Sequence, residues 1–331
     1  MADAQLDVVG VGNAIVDVIA KADEALIERL ELSKGTMTLI DSDDADRLYG
    51  EMGAGIDETS GGSAANTLAG IASLGGAGAY IGKVRDDQLG GVFSHDIKAA
   101  GVDYRSRPAT EGESTARCLI FVTPDADRTM QTFLGVSVML GPDDIDPEAI
   151  GDAQITYLEG YLFDRDEAKE AFVKAAELAH AAGRKVALSL SDPFCVDRHR
   201  ASFRHLVEGH VDILFANHDE ITSLFETDSF DDAVRQLVGK VDLAAVTRGA
   251  EGSVIVTADQ VIEIPAEPVA SVVDTTGAGD LYAAGVLFGL TQGFELENAG
   301  RIGSICAAEV ISHYGARPET SLSALVKEKL G

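Results

Sequence analysis

Two rhythms of apolar positions alternate along the chain. Short continuous apolar runs predict buried strands, and the helically periodic stretches that follow them predict amphipathic helices. From Ala153 onward the two succeed each other as repeating units: AQITYLEGYLF then DEAKEAFVKAAELAHAAG, KVALSLSD then RASFRHLVEG, VDILFAN then HDEITSLF. The helix DDAVRQLVGK, the strand LAAVTRG and a small hairpin, GSVIVTADQVIEIP, come next, and two helical segments close the chain. Parallel strands need crossover connections, so repeated strand–helix units predict an α/β fold: a mostly parallel sheet with helices on both faces.

The amino-terminal half mixes this pattern with a second one. DVVGVG and GAYIGKV predict core strands, while ADEALIERLEL, SDDADRLYGEM, SGGSAANTLAGIASLG and DQLGGVFSHDIKAAG predict helices. Alternation in AIVDVIAK, GTMTLID and STARCLIFVTPDADRTMQTFLG predicts strands that do not fit the parallel sheet. The last of these reads as a hairpin turning at Pro-Asp-Ala-Asp. We therefore expect one domain over residues 1–331 carrying a small separate β-sheet, a lid, from segments near 14–20, 35–41 and 114–135. No internal repeat or low-complexity linker divides the chain.

Composition narrows the function. Of 331 residues, 46% are hydrophobic, enough for a sizeable core. The formal net charge is −29, which argues against nucleic acid and anionic membrane as partners and describes a solvated surface. An anionic substrate would then need positive potential from backbone amides, a few Arg or Lys, or a metal. Cys118, Cys195 and Cys306 are far apart and lack metal-ligand spacing, so a reducing cytoplasm is expected. No segment reaches the roughly 18 uninterrupted apolar residues of a membrane span, and MADAQLDVVGVG lacks the basic start of a signal peptide.

Two glycine motifs fail on inspection. GVGNAI begins like a dinucleotide fingerprint, but Ile15 occupies the third glycine position and a strand, not a helix, follows. AGAYIGKV contains Gly-Lys, yet Ala77 and Val84 stand where a phosphate-binding loop needs Gly and Ser/Thr. DTTGAGD, residues 274–280, is different. It follows the apolar, strand-like VV and precedes the helix LYAAGVLFGL. Small residues at a helix start let an anion approach unpaired N–H groups, so Gly277, Ala278 and Gly279 could form an anion hole. Asp280 has two readings on the residues alone: a helix-start acid stabilised by the dipole, or a base that takes the proton of a hydroxyl attacking phosphorus.

With these motifs in place the chain resembles the ribokinase/PfkB family of carbohydrate and nucleoside kinases. DTTGAGD matches that family's most specific signature, and GGSAANTLAGIASLG its amino-proximal one. GKVRDDQLGGVFSHDIKAAGVD fits the segment that usually follows, with Arg85 where Gly is common, and NHDE at 217–220 fits an Asn-x-x-Glu motif. The resemblance runs from about Asp7 to Pro318. It implies a ribokinase-like three-layer core with a β lid, and transfer of the ATP γ-phosphate to a hydroxyl. Asp280 would be the base, with Gly277, Ala278 and Gly279 as the anion hole. Asn217 and Glu220 would organise Mg²⁺ through water; read alone, they form a helix cap. Asn13, Asp17, Gly62, Ser63 and Asn66 would meet the acceptor's sugar hydroxyls. Arg128 resembles a lid arginine that closes over phosphates; its alternative is a surface arginine beside Asp125 and Asp127. Thr247, Gly249 and Gly252 in VTRGAEGS, with His313 and Gly315 in SHYGARP, are nucleotide-side candidates, and Asp274 and Thr276 are candidates for a monovalent cation such as K⁺. LSKGTMTLID, DRTMQTFLG and LSLSDPF look most like the adenosine-kinase branch, for which Tyr161, Phe163 and Phe194 offer base-stacking surfaces. A nucleoside is thus the first expectation for the acceptor and a sugar or sugar acid the second. A non-catalytic nucleotide-binding protein is the alternative of another class, and the assembly is expected to be a monomer or a homodimer paired through lid edges.

Overall fold

The computed structural model describes residues 4–53, 55–125 and 127–331. Its strands, in chain order, are β1 (Leu6–Val11), β2 (Ile15–Lys21), β3 (Met37–Leu39), β4 (Asp57–Gly61), β5 (Gly78–Ile81), β6 (Val102–Tyr104) and β7 (Ala116–Val122). They continue with β8 (Arg128–Phe133), β9 (Ala153–Glu159), β10 (Lys185–Ser189), β11 (Ile213–Asn217), β12 (Leu243–Thr247), β13 (Ser253–Val256) and β14 (Val261–Ile264). The main sheet runs β14-β13-β12-β11-β10-β9-β1-β5-β6, parallel throughout except at β13, which pairs antiparallel with both β12 and β14.

Helices cover both faces, as the alternating βα pattern predicts. They are α1 (Glu24–Arg29), α2 (Ser42–Glu51), α3 (Ser63–Leu74), α4 (Gln88–Ala99), α5 (Pro147–Asp152) and α6 (Asp166–Ala181). The rest are α7 (Pro193–Gly209), α8 (His218–Phe225), α9 (Phe230–Leu237), α10 (Ala278–Thr291), α11 (Leu296–Val310) and α12 (Leu322–Leu330). The pleat sorts the core into two: on β11, Ile213 and Phe215 face a cluster with Leu68 of α3 and Leu281 of α10, while Leu214 and Ala216 face one with Phe172 of α6 and Phe203 of α7.

The lid is a separate sheet, ordered β3-β8-β7-β2-β4. The hairpin β7–β8 pairs antiparallel, and β2 joins it in parallel on β7. Its edge strand β4, sequence DETSG, carries no hydrophobic signal and was not anticipated; it forms by pairing antiparallel to β2. A second departure lies before the DTTGAGD motif. Val272 and Val273, read as strand-like, are exposed and belong to a loop. Among the described residues no helix is long and apolar enough to cross a membrane.

Candidate active site

The carboxyl ends of the parallel strands and the inner face of the lid enclose one large cavity of about 1230 Å³. Ligands of open α/β sheets bind beyond the carboxyl ends of the strands, where diverging loops leave a crevice. Here the residues at or just beyond those ends are Asn13, Glu159, Ser191, Asn217 and Thr247, and all line the cavity.

At its centre lies the start of α10. Gly277 takes the left-handed conformation at φ +79°, and a Cβ there would sit 2.8 Å from Ala316, so both the turn and the close approach require glycine. The Ala278 amide turns back to the Thr275 carbonyl at 3.2 Å. Among the described residues, the amides of Gly277, Gly279 and Asp280 make no hydrogen bond within the protein. The amides left open to an anion are thus those of Gly277, Gly279 and Asp280, while the Ala278 amide serves the turn. Asp280 accepts from Ser63 Oγ at 2.6 Å and Asn66 Nδ2 at 3.0 Å. Burial pushes its carboxyl up, against the pull of these two bonds and the charge of Arg317. Its oxygens are therefore aimed, while its own proton affinity is kept from falling.

The residues expected to meet the acceptor lie on and around α3 and β2. Gly62 caps α3 at φ +95° and a Cβ there would lie 2.3 Å from the Asn13 carbonyl. Asp17 on β2 lines the cavity and its carboxylate has no hydrogen-bond partner among the described residues. Burial pushes it up to about 6, opposed by Arg128 and Arg317 and reinforced by Asp280. Asn13 also lines the cavity, but its side chain is committed. Nδ2 donates to Glu159 at 3.0 Å, and Oδ1 accepts from Ser137 Oγ at 2.9 Å.

Glu159 is the residue the sequence reading missed. It is 1% exposed, ends β9, and accepts from the amides of Asn13 (3.2 Å) and Ala64 (2.8 Å) as well as from Asn13 Nδ2. Burial raises its carboxyl to about 7. The available signal was an acid closing an otherwise apolar core strand, AQITYLE, which places it at a carboxyl end.

Of the nucleotide-side candidates, Thr247 and Gly249 line the cavity, as does Arg248, stacked 5.3 Å over Phe230. Gly252 and Gly315 do not; they are turn glycines at φ +86° and +92°. His313 also lies off the cavity, because its ring is held by Glu309 at 3.3 Å and by the Tyr314 carbonyl at 3.2 Å. Asn217 caps α8 by accepting from the Glu220 amide, and Glu220 reaches back to the Asn217 amide and Nδ2 at 2.9 and 2.7 Å. The pair is therefore a closed capping box. Both residues nevertheless line the cavity, and each Glu220 oxygen keeps a lone pair free. Burial pushes Glu220 up to about 7, so a nearby cation would hold it ionised, and the pair fits water-mediated support of Mg²⁺. No group of His, Cys, Asp and Glu among the described residues forms a metal cage.

Three further expectations change. The side chains of Asp274 and Thr276, the cation candidates, are bonded within the protein. One Asp274 oxygen accepts from Thr276 N and Oγ1 at 2.9 and 2.6 Å, the other from Arg128 and from Gly315 N at 3.0 Å. Those donors use its lone pairs and, against burial, hold its carboxyl below the usual range. Arg128 is accordingly no surface arginine: it joins the lid to the anion-hole loop, with Thr276 Oγ1 3.4 Å from Nη1. Phe163 is no base platform, being 1% exposed and stacked at 4.5 Å on Phe203 in the core. Tyr161 does line the cavity, fixed by its amide to Ser191 Oγ and by its hydroxyl to the Ser191 carbonyl, both at 3.1 Å. Phe194 lines it too, 68% exposed, under Arg198.

The crevice thus combines open helix-start amides, a carboxylate held by two donors and a second sheet beside it, and comparison assigns its class. The family model for pfkB family carbohydrate kinases matches residues 36–322, and the chain belongs to that family. It is a sugar or nucleoside kinase, and the family implies ATP as donor with Mg²⁺. The chain is 49% identical to adenosine kinase from Sinorhizobium meliloti over 98% of this chain and 100% of that one, with a TM-score of 0.90. A probable sugar kinase from Rhizobium etli CFN 42 is 46% identical over 98% and 99% of the two chains, with the same TM-score. A 5-dehydro-2-deoxygluconokinase from Shouchella clausii is 30% identical over 81% of this chain and 86% of its own length.

Proposed function

We propose that the acceptor is a nucleoside of the adenosine type, phosphorylated on its 5′-hydroxyl. The observation that carries this reading is the inner face of the lid. Met37, Leu39, Cys118, Ile120, Met130 and Leu134 line the cavity on the side of Asp17, and Met37 and Leu39 are half exposed. A free sugar carries hydroxyls on every side and would leave that face opposite groups it cannot bond. A nucleoside offers a diol to Asp17 at one end and a flat, largely apolar base to the lid at the other. The high identity to the Sinorhizobium meliloti adenosine kinase supports the same reading.

In the proposed reaction the acceptor hydroxyl attacks the γ-phosphorus of ATP. The new P–O bond forms, the bond to the β-phosphate oxygen breaks, the proton passes to Asp280, and ADP leaves. Ser63 and Asn66 hold Asp280 in the direction of that proton. The amides of Gly277, Gly279 and Asp280 face the developing phosphoryl charge, as such preorganised donors do in phosphoryl transfer. Mg²⁺, when bound, neutralises phosphate charge, with Asn217 and Glu220 ordering its waters. Lid closure through Arg128 excludes water that would otherwise take the phosphoryl group.

The test is ATP consumption by the purified protein with Mg²⁺ and K⁺ across adenosine, inosine, cytidine, ribose, fructose and 2-keto-3-deoxygluconate, with the product identified by mass. Turnover with adenosine, lost on Ile120→Asn while ATP still binds, is the expected result. Turnover confined to a free sugar or sugar acid would discard the base site and keep the mechanism.

A further inference from the structure

Arg248 follows the last residue of β12 and lines the cavity. In the sheet order β12-β11-β10-β9-β1, that strand stands at the opposite end from β1, the strand that leads into the lid. The backbone of Arg248 is fixed on a tight loop. Its amide donates to the Gly252 carbonyl at 2.7 Å, and its carbonyl accepts from the Glu251 amide at 3.1 Å. A Cβ on Gly252 would lie 2.1 Å from the Ile264 carbonyl, so this loop closes only with glycine there. The side chain is held as well. Its guanidinium lies over the ring of Phe230, the first residue of α9, and His218, the first of α8, packs on the same ring at 5.2 Å between centroids. Phe230 does not line the cavity; it backs the two residues that do.

A guanidinium held over an aromatic face keeps its N–H donors for other partners. Arg248 Nε is buried and has no hydrogen-bond partner. The ion pair of Arg248 is with Glu251, at 3.9 Å between Nη1 and Oε2, and that acid is 78% exposed. Exposed pairs of this length contribute little. The other arginines lining the cavity are engaged: Arg128 is bound to Asp274, and Arg198 lies over Phe194. Carboxylates line the same cavity from Asp17 on the lid to Asp219 and Glu220 on α8. A strongly anionic ligand therefore meets repulsion at both ends unless a cation offsets it.

We propose that Arg248 binds the phosphates of the donor nucleotide that are not transferred. The lid end of the cavity is the acceptor's, and the open amides of Gly277, Gly279 and Asp280 face the transferred group. The rest of the phosphate chain then lies toward β11 and β12, where Arg248 supplies a planar, always-charged fork suited to phosphate oxygens. Phe230 holds that fork in place before the nucleotide arrives, which lowers the ordering cost of binding.

The inference rests on ATP as donor and not on the identity of the acceptor, so any acceptor the enzyme phosphorylates can be used. Calorimetric titration with ATP and Mg²⁺, across a range of NaCl, compares the unmodified protein with Arg248→Gln and Arg248→Lys. In Arg248→Gln the Kd for ATP should rise about 10–100-fold, as for loss of a charge-assisted hydrogen bond, and its dependence on salt should flatten. KM for ATP should rise by the same factor, while kcat and the acceptor's KM change less, because a phosphate that is not transferred is held equally before and during reaction. Arg248→Lys should keep the salt dependence and lose less affinity. An unchanged Kd in Arg248→Gln would overturn the inference. So would a raised Kd with the original salt dependence, which would place the contact on the base or ribose. Failure of Arg248→Gln to fold would overturn it too, by assigning the residue to the fold. An unmodified protein that binds no ATP would remove the donor reading itself, whereas equal binding by protein and variant removes only the role of Arg248.

Discussion

At the scale of single residues, chemistry was legible where a residue type is rare in its context. Asp280 stands among small residues at a helix start, and the structure holds both of its oxygens with Ser63 and Asn66. Replacing it by Asn removes a proton acceptor and preserves the shape, so kcat should fall by about 10²–10⁴ with ATP affinity retained. Steady-state kinetics and nucleotide titration check this, and turnover near that of the unmodified enzyme would contradict it. Residues whose role depends on distant partners were not legible. Glu159 looks like the end of a strand until Asn13 and Ala64 are seen on its oxygens. Phe163 looked like a binding-site aromatic because its neighbour Tyr161 is one; the turn between β9 and α6 sends the two side chains to opposite sides, one to the cavity and one to the core.

At the scale of elements, period and punctuation predicted the βα succession well, because the central strands bury both faces and most of the helices between them bury one stripe. The lid strand β4 escaped notice because its residues are polar and its pairing comes from β2, not from its own hydrophobicity. The loop before α10 was misread for the converse reason: valines that look strand-like have no strand beside them. Contacts between elements have a mechanical consequence at Arg128. Its pairing with Asp274 ties β8 of the lid to the anion-hole loop, and both side chains are shielded, 10% and 8% exposed. Breaking one partner of a shielded pair leaves the other charge uncompensated. Arg128→Ala and Asp274→Asn should therefore each lower kcat while changing the KM for ATP less, through impaired closure. The double variant should be little worse than either single one, because the two act as a unit. Additive losses measured in that cycle would separate the two residues and undo the latch.

At the scale of the whole molecule, the same acidity that argues against nucleic acid becomes a statement about stability. The carboxyls at the heart of the site are raised by burial, Asp17 to about 6 and Glu159 and Glu220 to about 7, from ordinary values near 4. A carboxyl whose affinity for protons is higher in the folded state binds more protons there than in the unfolded chain between those two values. Its contribution to stability is present at low pH and is lost as pH rises through the folded value. The net charge of −29 acts in the same direction, since each proton bound relieves repulsion. Asp274, held low by its donors, opposes this only on the acid side, where its pairing is lost as pH falls. The ligand-free protein should therefore melt at a higher temperature near pH 6 than near pH 8. Added NaCl should raise the pH 8 value by a few degrees as the screening length shrinks below about 10 Å. Scanning calorimetry at both pH values, at low and high salt, reads the two effects separately. A Tm that rises from pH 6 to pH 8 would mean that Asp17, Glu159 and Glu220 are ionised without penalty in the folded protein, and the tuning of the site by burial would have to be abandoned.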